Sequence, residues 1–181
     1  NGWAMKLKRK YLKNMAKPSS NGLISRKRGP NMRKVTFQEL SQDYLNQLVK
    51  GAFLTVKHEG KVNTMTIGWG TLGYMWNKPI MMVPVRYSRY THTLIHEAQW
   101  FTVCVPIKKD LKKELALCGT KSGRDIDKIS ASGLTLSAPL SESIETPVIA
   151  ECELHIECKI VYKQSMALDQ LDEQIINKQY P

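Results

Sequence analysis

The sequence predicts a mainly β domain with short helices, on three observations. Val148 to Val161 alternates with period two. Val148, Ala150, Cys152, Leu154, Ile156, Cys158 and Ile160 lie on one side, and Glu151, Glu153, His155, Glu157 and Lys159 on the other. Ala52–Lys57 and Val62–Ile67 are β-rich runs joined by His58-Glu59-Gly60-Lys61, a hairpin turn. Helical periodicity is confined to short stretches, the clearest placing Leu111, Leu115 and Cys118 on one face.

The chain has 181 residues and a formal net charge of +11. Residues 1–34 hold seven Lys, four Arg and no acid, while residues 35–181 hold 16 cations and 16 acids. The excess is confined to an N-terminal tail. A neutral body argues against a folded nucleic-acid domain, whose basic residues would spread over one face. Nucleic-acid binding through the tail remains as a third reading. Hydrophobic content of 42% and charged content of 24% are ordinary globular values. No apolar run reaches the ~18 residues of a membrane helix, and the basic start is not followed by the apolar stretch of a secretory signal. Cys104, Cys118, Cys152 and Cys158 are expected as free thiols in a reducing cytoplasm, since a chain this long needs no staples.

In chain order, residues 1–31 read as a basic tail. Lys6 to Lys13 suits one or two helical turns, and Pro18–Gly22 and Gly29–Asn31 act as breakers. Met32 reads as a native start, with the tail foreign to the domain. The hairpin over 52–67 follows. Ile80–Arg86 is strand-like, Ser88 is placed to cap a helix from Arg89 to about Ala98, and Trp100–Val105 is a buried strand. Leu111–Cys118 suits a helix, and Asp125–Ser130 a further turn. The alternating strand closes the series, with one buried face and one wet face as in an antiparallel sheet or small barrel.

Few residues form a catalytic constellation. Cys152, His155 and Cys158 resemble a metal cluster, but the alternation turns His155 away from the cysteines. His92 and His96 are spaced i, i+4, yet Thr93 stands where the zincin pattern needs Glu, so both read as surface residues. No G-x-S-x-G elbow is present. Cys118 lies near Lys121 and Arg124, which favours a thiolate, but closing a helix it reads first as packing.

Three segments suit a phosphorylated heterocycle. Arg86-Tyr87-Ser88-Arg89-Tyr90-Thr91 gathers two guanidiniums and hydroxyls where a strand gives way to a helix N-terminus. Cys118-Gly119-Thr120-Lys121-Ser122-Gly123-Arg124 permits a backbone nest for an anion, although it is not a P-loop. Asn63-Thr64-Met65-Thr66-Ile67-Gly68-Trp69-Gly70 offers strand backbone to read a heterocycle's edge and Trp69 to pack on a ring. Each alone is equally a solvated turn or a plain strand end.

In this order and spacing the three segments, the last extended through Asp125-Ile126-Asp127-Lys128, resemble the flavin reductase-like proteins of the flavoredoxin type. The resemblance covers about Met32 to the C-terminus. It implies an FMN-binding split β-barrel, usually a homodimer with FMN near the interface. Asn63, Thr64, Met65 and Thr66 would lie along the isoalloxazine, with Trp69 beside it. Arg86, Ser88, Arg89, Tyr90 and Thr91 would lie on the phosphate side, and Cys118, Gly119, Lys121, Ser122 and Lys128 would close over the cofactor. It implies an oxidoreductase whose chemistry FMN carries without a catalytic side chain, with NADH or NADPH as electron donor. The alternative is a flavoredoxin-type carrier that takes electrons from a redox-protein partner. It also implies one more strand, with an aromatic-Gly-Glu motif, so that residues 32–181 are expected to lack the last strand.

Overall fold

The computed structural model describes residues 23–28 and 31–180. The expected helical turns at Lys6–Lys13 lie outside them.

Ten strands and five α-helices follow one another among the described residues. They are β1 (Ile24–Arg28), β2 (Asn31–Lys34), α1 (Phe37–Leu48), β3 (Ala52–His58), β4 (Lys61–Ile67), β5 (Thr71–Met75), β6 (Lys78–Met82), α2 (Tyr90–Glu97), β7 (Trp100–Val105), α3 (Lys112–Thr120), α4 (Lys128–Ser132), β8 (Leu136–Ser137), β9 (Val148–Ile149), β10 (Leu154–Lys159) and α5 (Glu173–Gln179). The main sheet has six strands in the order β2-β1-β10-β7-β3-β4, and β5–β6 and β8–β9 are separate antiparallel hairpins.

The β3–β4 hairpin turns at Glu59 and Gly60, with φ of 48° and 76°, the primed turn that matches strand twist. Thr55 pairs with Thr64 and Leu54 with Met65, so every second residue shares a face. Leu54, Met65, Val103 and Ile156 pack under α1 through Leu40, Tyr44 and Leu48. Phe53 and Cys104 face the other way and pack with Leu115, Cys118 and Ile149. The sheet is thus a middle layer, with α1 on one side and α3 on the other.

Several expectations are corrected. Among the described residues the sheet starts at Ile24, because β1 pairs with β10, Ser25 opposite His155. The boundary at Met32 therefore cuts through sheet structure. The single strand over Val148–Val161 is two strands broken by a turn, where Cys152 N–H donates to Ile149 O at 3.2 Å. Its expected wet face is largely covered: His155 and Glu157 are 5% and 1% exposed. The reason is hydrogen bonding. Glu157 accepts from Leu140 N–H at 2.7 Å and Ser141 N–H at 3.1 Å, pinning the loop over the sheet. Glu153 accepts from Ile107, Lys108 and Lys109 N–H, and His155 Nε2 lies 3.0 Å from Ile149 O. The strand expected over Ile80–Arg86 stops at Met82, ahead of Pro84, which has no N–H for a ladder. The helix expected from Arg89 with Ser88 as its cap starts one residue later, at Tyr90, with Arg89 as N-cap. No helix among the described residues is long and apolar enough to cross a membrane, and no His/Cys/Asp/Glu group among them could hold a metal.

Candidate functional site

The site is built on β4. A two-residue turn closes the hairpin with His58 paired to Lys61, and hydrogen-bonded and non-bonded pairs alternate from there. Val62, Thr64 and Thr66 therefore turn their N–H and C=O groups away from β3. No strand among the described residues pairs with that edge.

Three neighbouring segments converge on this edge. Asn63, buried, donates from Nδ2 to Thr91 Oγ1 at 2.7 Å, tying the strand to the first turn of α2. Arg89 donates to Gly119 O at 2.7 Å, joining that turn to the end of α3. Lys128 reaches back from α4 to donate to Thr64 O at 3.0 Å and Cys118 O at 2.9 Å. Its ammonium is 6% exposed as a residue and meets carbonyls only, so burial lowers its pKa, with Cys118 opposing and Arg89 adding. Asp127 caps α4 by accepting from Ile129 N–H at 3.0 Å and Ser130 N–H at 3.3 Å, which fixes where Lys128 starts.

Gly123 lies against Asn63: a Cβ there would stand 1.9 Å from Asn63 Oδ1. Arg124 lies over the Tyr90 ring at 5.2 Å and donates to Ser88 O at 3.4 Å. A cleft of about 560 Å³ opens between Lys61–Thr64, Tyr90 and Gly123–Ile129. No side chain caps α2: His92 N–H bonds Arg89 O at 2.9 Å, the Tyr90 and Thr91 N–H groups have no side-chain cap, and exposed Ser88 stands beside them.

A family model described as "Flavin reductase like domain" matches residues 50–171, which contain all three segments. The chain belongs to the flavin reductase-like family. The flavoredoxin from Methanosarcina acetivorans is 30% identical, with a TM-score of 0.56 over 64% of this chain and 59% of that one. The flavoredoxin of Desulfovibrio vulgaris is 25% identical, with a TM-score of 0.56 over 64% of this chain and 61% of that one. A protein with a split barrel domain from Shewanella frigidimarina, 19% identical with a TM-score of 0.57 over 75% of this chain and 68% of that one, shows the fold alone. An uncharacterized protein of Archaeoglobus fulgidus is 35% identical over 60% of this chain and 59% of its own length. The chain thus spans about three fifths of these first relatives.

In this flavin reductase-like chain the predicted residues fall into four groups. Asn63, Thr64, Thr66, Arg89, Tyr90, Thr91, Gly119 and Lys128 lie in or beside the network, Thr66 by donating to Leu115 O at 2.5 Å. Ser88 and Lys121 are exposed and Ser122 half-buried at its margin. Met65 and Cys118 turn their side chains into the two apolar cores, so at these two positions only backbone faces the site. Burial raises the Cys118 thiol, against the opposing Lys128. Arg86 and Trp69 stand apart from the network, with the guanidinium 4.8 Å from the indole centroid.

Sequence reasoning misses several supporting residues. Gly70 abuts Tyr44, its Cβ position 2.9 Å from the phenol oxygen, so Tyr44 seats the Trp69 turn from below. Asp127 and Gly123 stand inside the quoted motif, but their roles depend on what they touch. Gln179 and Tyr180 reach Arg86 from a part of the chain with no motif.

Proposed function

We propose that the chain binds FMN along the outer edge of β4 and acts as a flavin reductase-like oxidoreductase, with NADH or NADPH as electron donor. The observation that carries this reading is the convergence of the open β4 edge, the uncapped start of α2 and the Cys118–Lys128 segment. The donor set suits the cofactor. Outward N–H groups of Val62, Thr64 and Thr66 and the C=O groups of Val62 and Thr66 suit the alternating acceptors and donors of a flavin ring, the Thr64 carbonyl being held by Lys128. Ser88, the first turn of α2 and the neighbouring arginines suit a phosphate. The cleft falls within the ~300–1,000 Å³ of small-molecule sites.

Bound FMN would supply the electron-transfer chemistry, which needs no acid or base from the protein. The side chains bind and orient. Lys128 fixes the Thr64 carbonyl, Asn63 fixes Thr91, and Arg89 fixes Gly119, so the strand edge and the phosphate turn are held in register. A second reading, a flavoredoxin-type electron carrier with a redox-protein partner, is favoured by the two flavoredoxins at 30% and 25% identity. A homodimer is part of the proposal. Exposed Tyr74, Met75, Trp76 and Met82 on the β5–β6 hairpin support it as apolar surface for a second copy to cover.

Titration with FMN tests the reading: a 1:1 endpoint with quenching of flavin fluorescence is expected, and no quenching would refute it. Anaerobic stopped-flow mixing of the FMN-loaded protein separates the two roles. Rapid bleaching by NADH or NADPH supports the reductase, whereas bleaching only by a reduced redox protein supports the carrier.

A further inference from the structure

Beyond β10 the chain runs over the surface. Residues 161–170 are all exposed, and α5 has no buried residue. Two points tie this arm down, at opposite ends of α2. Lys163 donates to His96 O and, at 3.2 Å, to Ala98 O, where the C-terminal carbonyls of α2 favour a cation. At the other end the arm meets Arg86, whose carbonyl accepts from Arg89 N–H at 3.0 Å and opens the turn into α2. Arg86 donates to Gln179 Oε1 at 3.4 Å, and its guanidinium lies 5.7 Å from the Tyr180 ring and 4.8 Å from the Trp69 ring.

Two aromatic contacts constrain a guanidinium in a useful way. They hold its cation by ring contact without using up its N–H groups, of which one set bonds Gln179 and the others remain for further hydrogen bonds. No carboxylate forms a salt bridge with Arg86 among the described residues. The arm thus restricts the rotamers of a long side chain beside the phosphate turn and leaves its charge uncompensated, which is preorganisation for an anion.

We propose that Gln179 and Tyr180 are positioning residues that hold Arg86 for the phosphate of the bound flavin. This inference rests on the FMN reading given above. It makes the C-terminal arm part of the site and assigns Tyr180 its ring face, not its hydroxyl.

The test compares FMN with riboflavin, which lacks the phosphate, by fluorescence titration of the full chain. Arg86→Ala is expected to weaken FMN about tenfold and leave riboflavin unchanged. Tyr180→Leu should weaken FMN about threefold, the worth of one cation–π contact, again without effect on riboflavin. Tyr180→Phe should match wild type, and Gln179→Ala should fall between. In the Arg86→Ala background Tyr180→Leu should do nothing more. Thermal melts check folding, which the exposure of α5 should leave intact. Wild-type protein that binds no flavin sinks the functional reading and this inference with it. A wild type that prefers FMN, and keeps that preference in Tyr180→Leu, overturns this inference alone. Equal losses for both flavins, or a Tyr180→Leu effect that persists without Arg86, overturns it as well.

Discussion

Gly123→Ala puts the convergence of the three segments to a direct test. Gly123 has no left-handed backbone to protect, so alanine brings no torsional strain and the cost is steric. The new Cβ would stand 1.9 Å from Asn63 Oδ1, 2.9 Å from its Cγ and 3.0 Å from Tyr90 Cδ1. The carboxamide has little room to yield, since Asn63 is 5% exposed and bonded to Thr91 at 2.7 Å. Overpacking of this kind costs about 1–3 kcal/mol, and losing the Asn63–Thr91 bond adds about 1 kcal/mol, giving roughly 2–4 kcal/mol in all. For a domain of this size that lowers the melting temperature by roughly 5–15 °C. Urea unfolding should show an earlier midpoint with an unchanged slope. The double variant with Asn63→Ala should be less damaged than the two single costs combined, because the clashing group is gone. A Gly123→Ala protein within about 0.5 kcal/mol of wild type would show that this loop does not pack on β4.

The remaining predictions concern ionisable groups. Cys104, Cys118 and Cys152 are buried, and burial pushes the Cys104 and Cys158 thiols up to about 12. A colorimetric thiol reagent at neutral pH should therefore label none of the four in native protein and all four in denaturant, and fast native labelling would contradict the packing. Burial raises the Glu157 carboxyl above its ordinary 4.5, against the N–H groups of Leu140 and Ser141 and nearby Lys34. A raised acid holds its proton more tightly in the native state, so its stability contribution is complete below 4.5 and is lost as pH rises through the folded value. Wild type should gain on Glu157→Gln as pH falls from 7 towards 4.5, and parallel stability curves would refute this. Lys128→Met should weaken FMN and riboflavin alike, because the ammonium acts through the Thr64 and Cys118 carbonyls. A loss confined to FMN would instead mean a direct phosphate contact.

The β3–β4 hairpin, β7 and the three site segments were legible because backbone propensity and short-range spacing encode them. The network among Asn63, Thr91, Arg89, Gly119 and Lys128 was legible as proximity but not as bonding, since pairs such as Lys128 and Thr64 are joined only by tertiary structure. The alternation over 148–161 misled in two respects. It runs unbroken through the turn that divides the segment into β9 and β10, and it records that Glu153 and Glu157 are polar but not that loop N–H groups will bind both and bury Glu157. Signals for α1 stand in the sequence and the strand-weighted reading passes over them. Thr36 and Glu39 form a capping box, and Leu40, Tyr44 and Leu48 recur every fourth residue. Nothing local marks Tyr180, whose meaning comes from lying near Arg86.

The main sheet ends differently on its two sides. The outer strand β2 carries Arg33 and Lys34, the charged guard that discourages a stray strand from docking. On β4 the guard is thin. Beyond Lys61 the strand is Val-Asn-Thr-Met-Thr-Ile, with β-branched residues and no charge. The fence is supplied from another element: Lys128 of α4 sits on the outward Thr64 carbonyl and interrupts the row of peptide groups that a stray strand would join. One ammonium therefore bears on colloidal behaviour as well as on the site: concentrated without flavin, Lys128→Met should precipitate by joining β4 to β4 more readily than wild type, and flavin added early in purification should keep it dispersed.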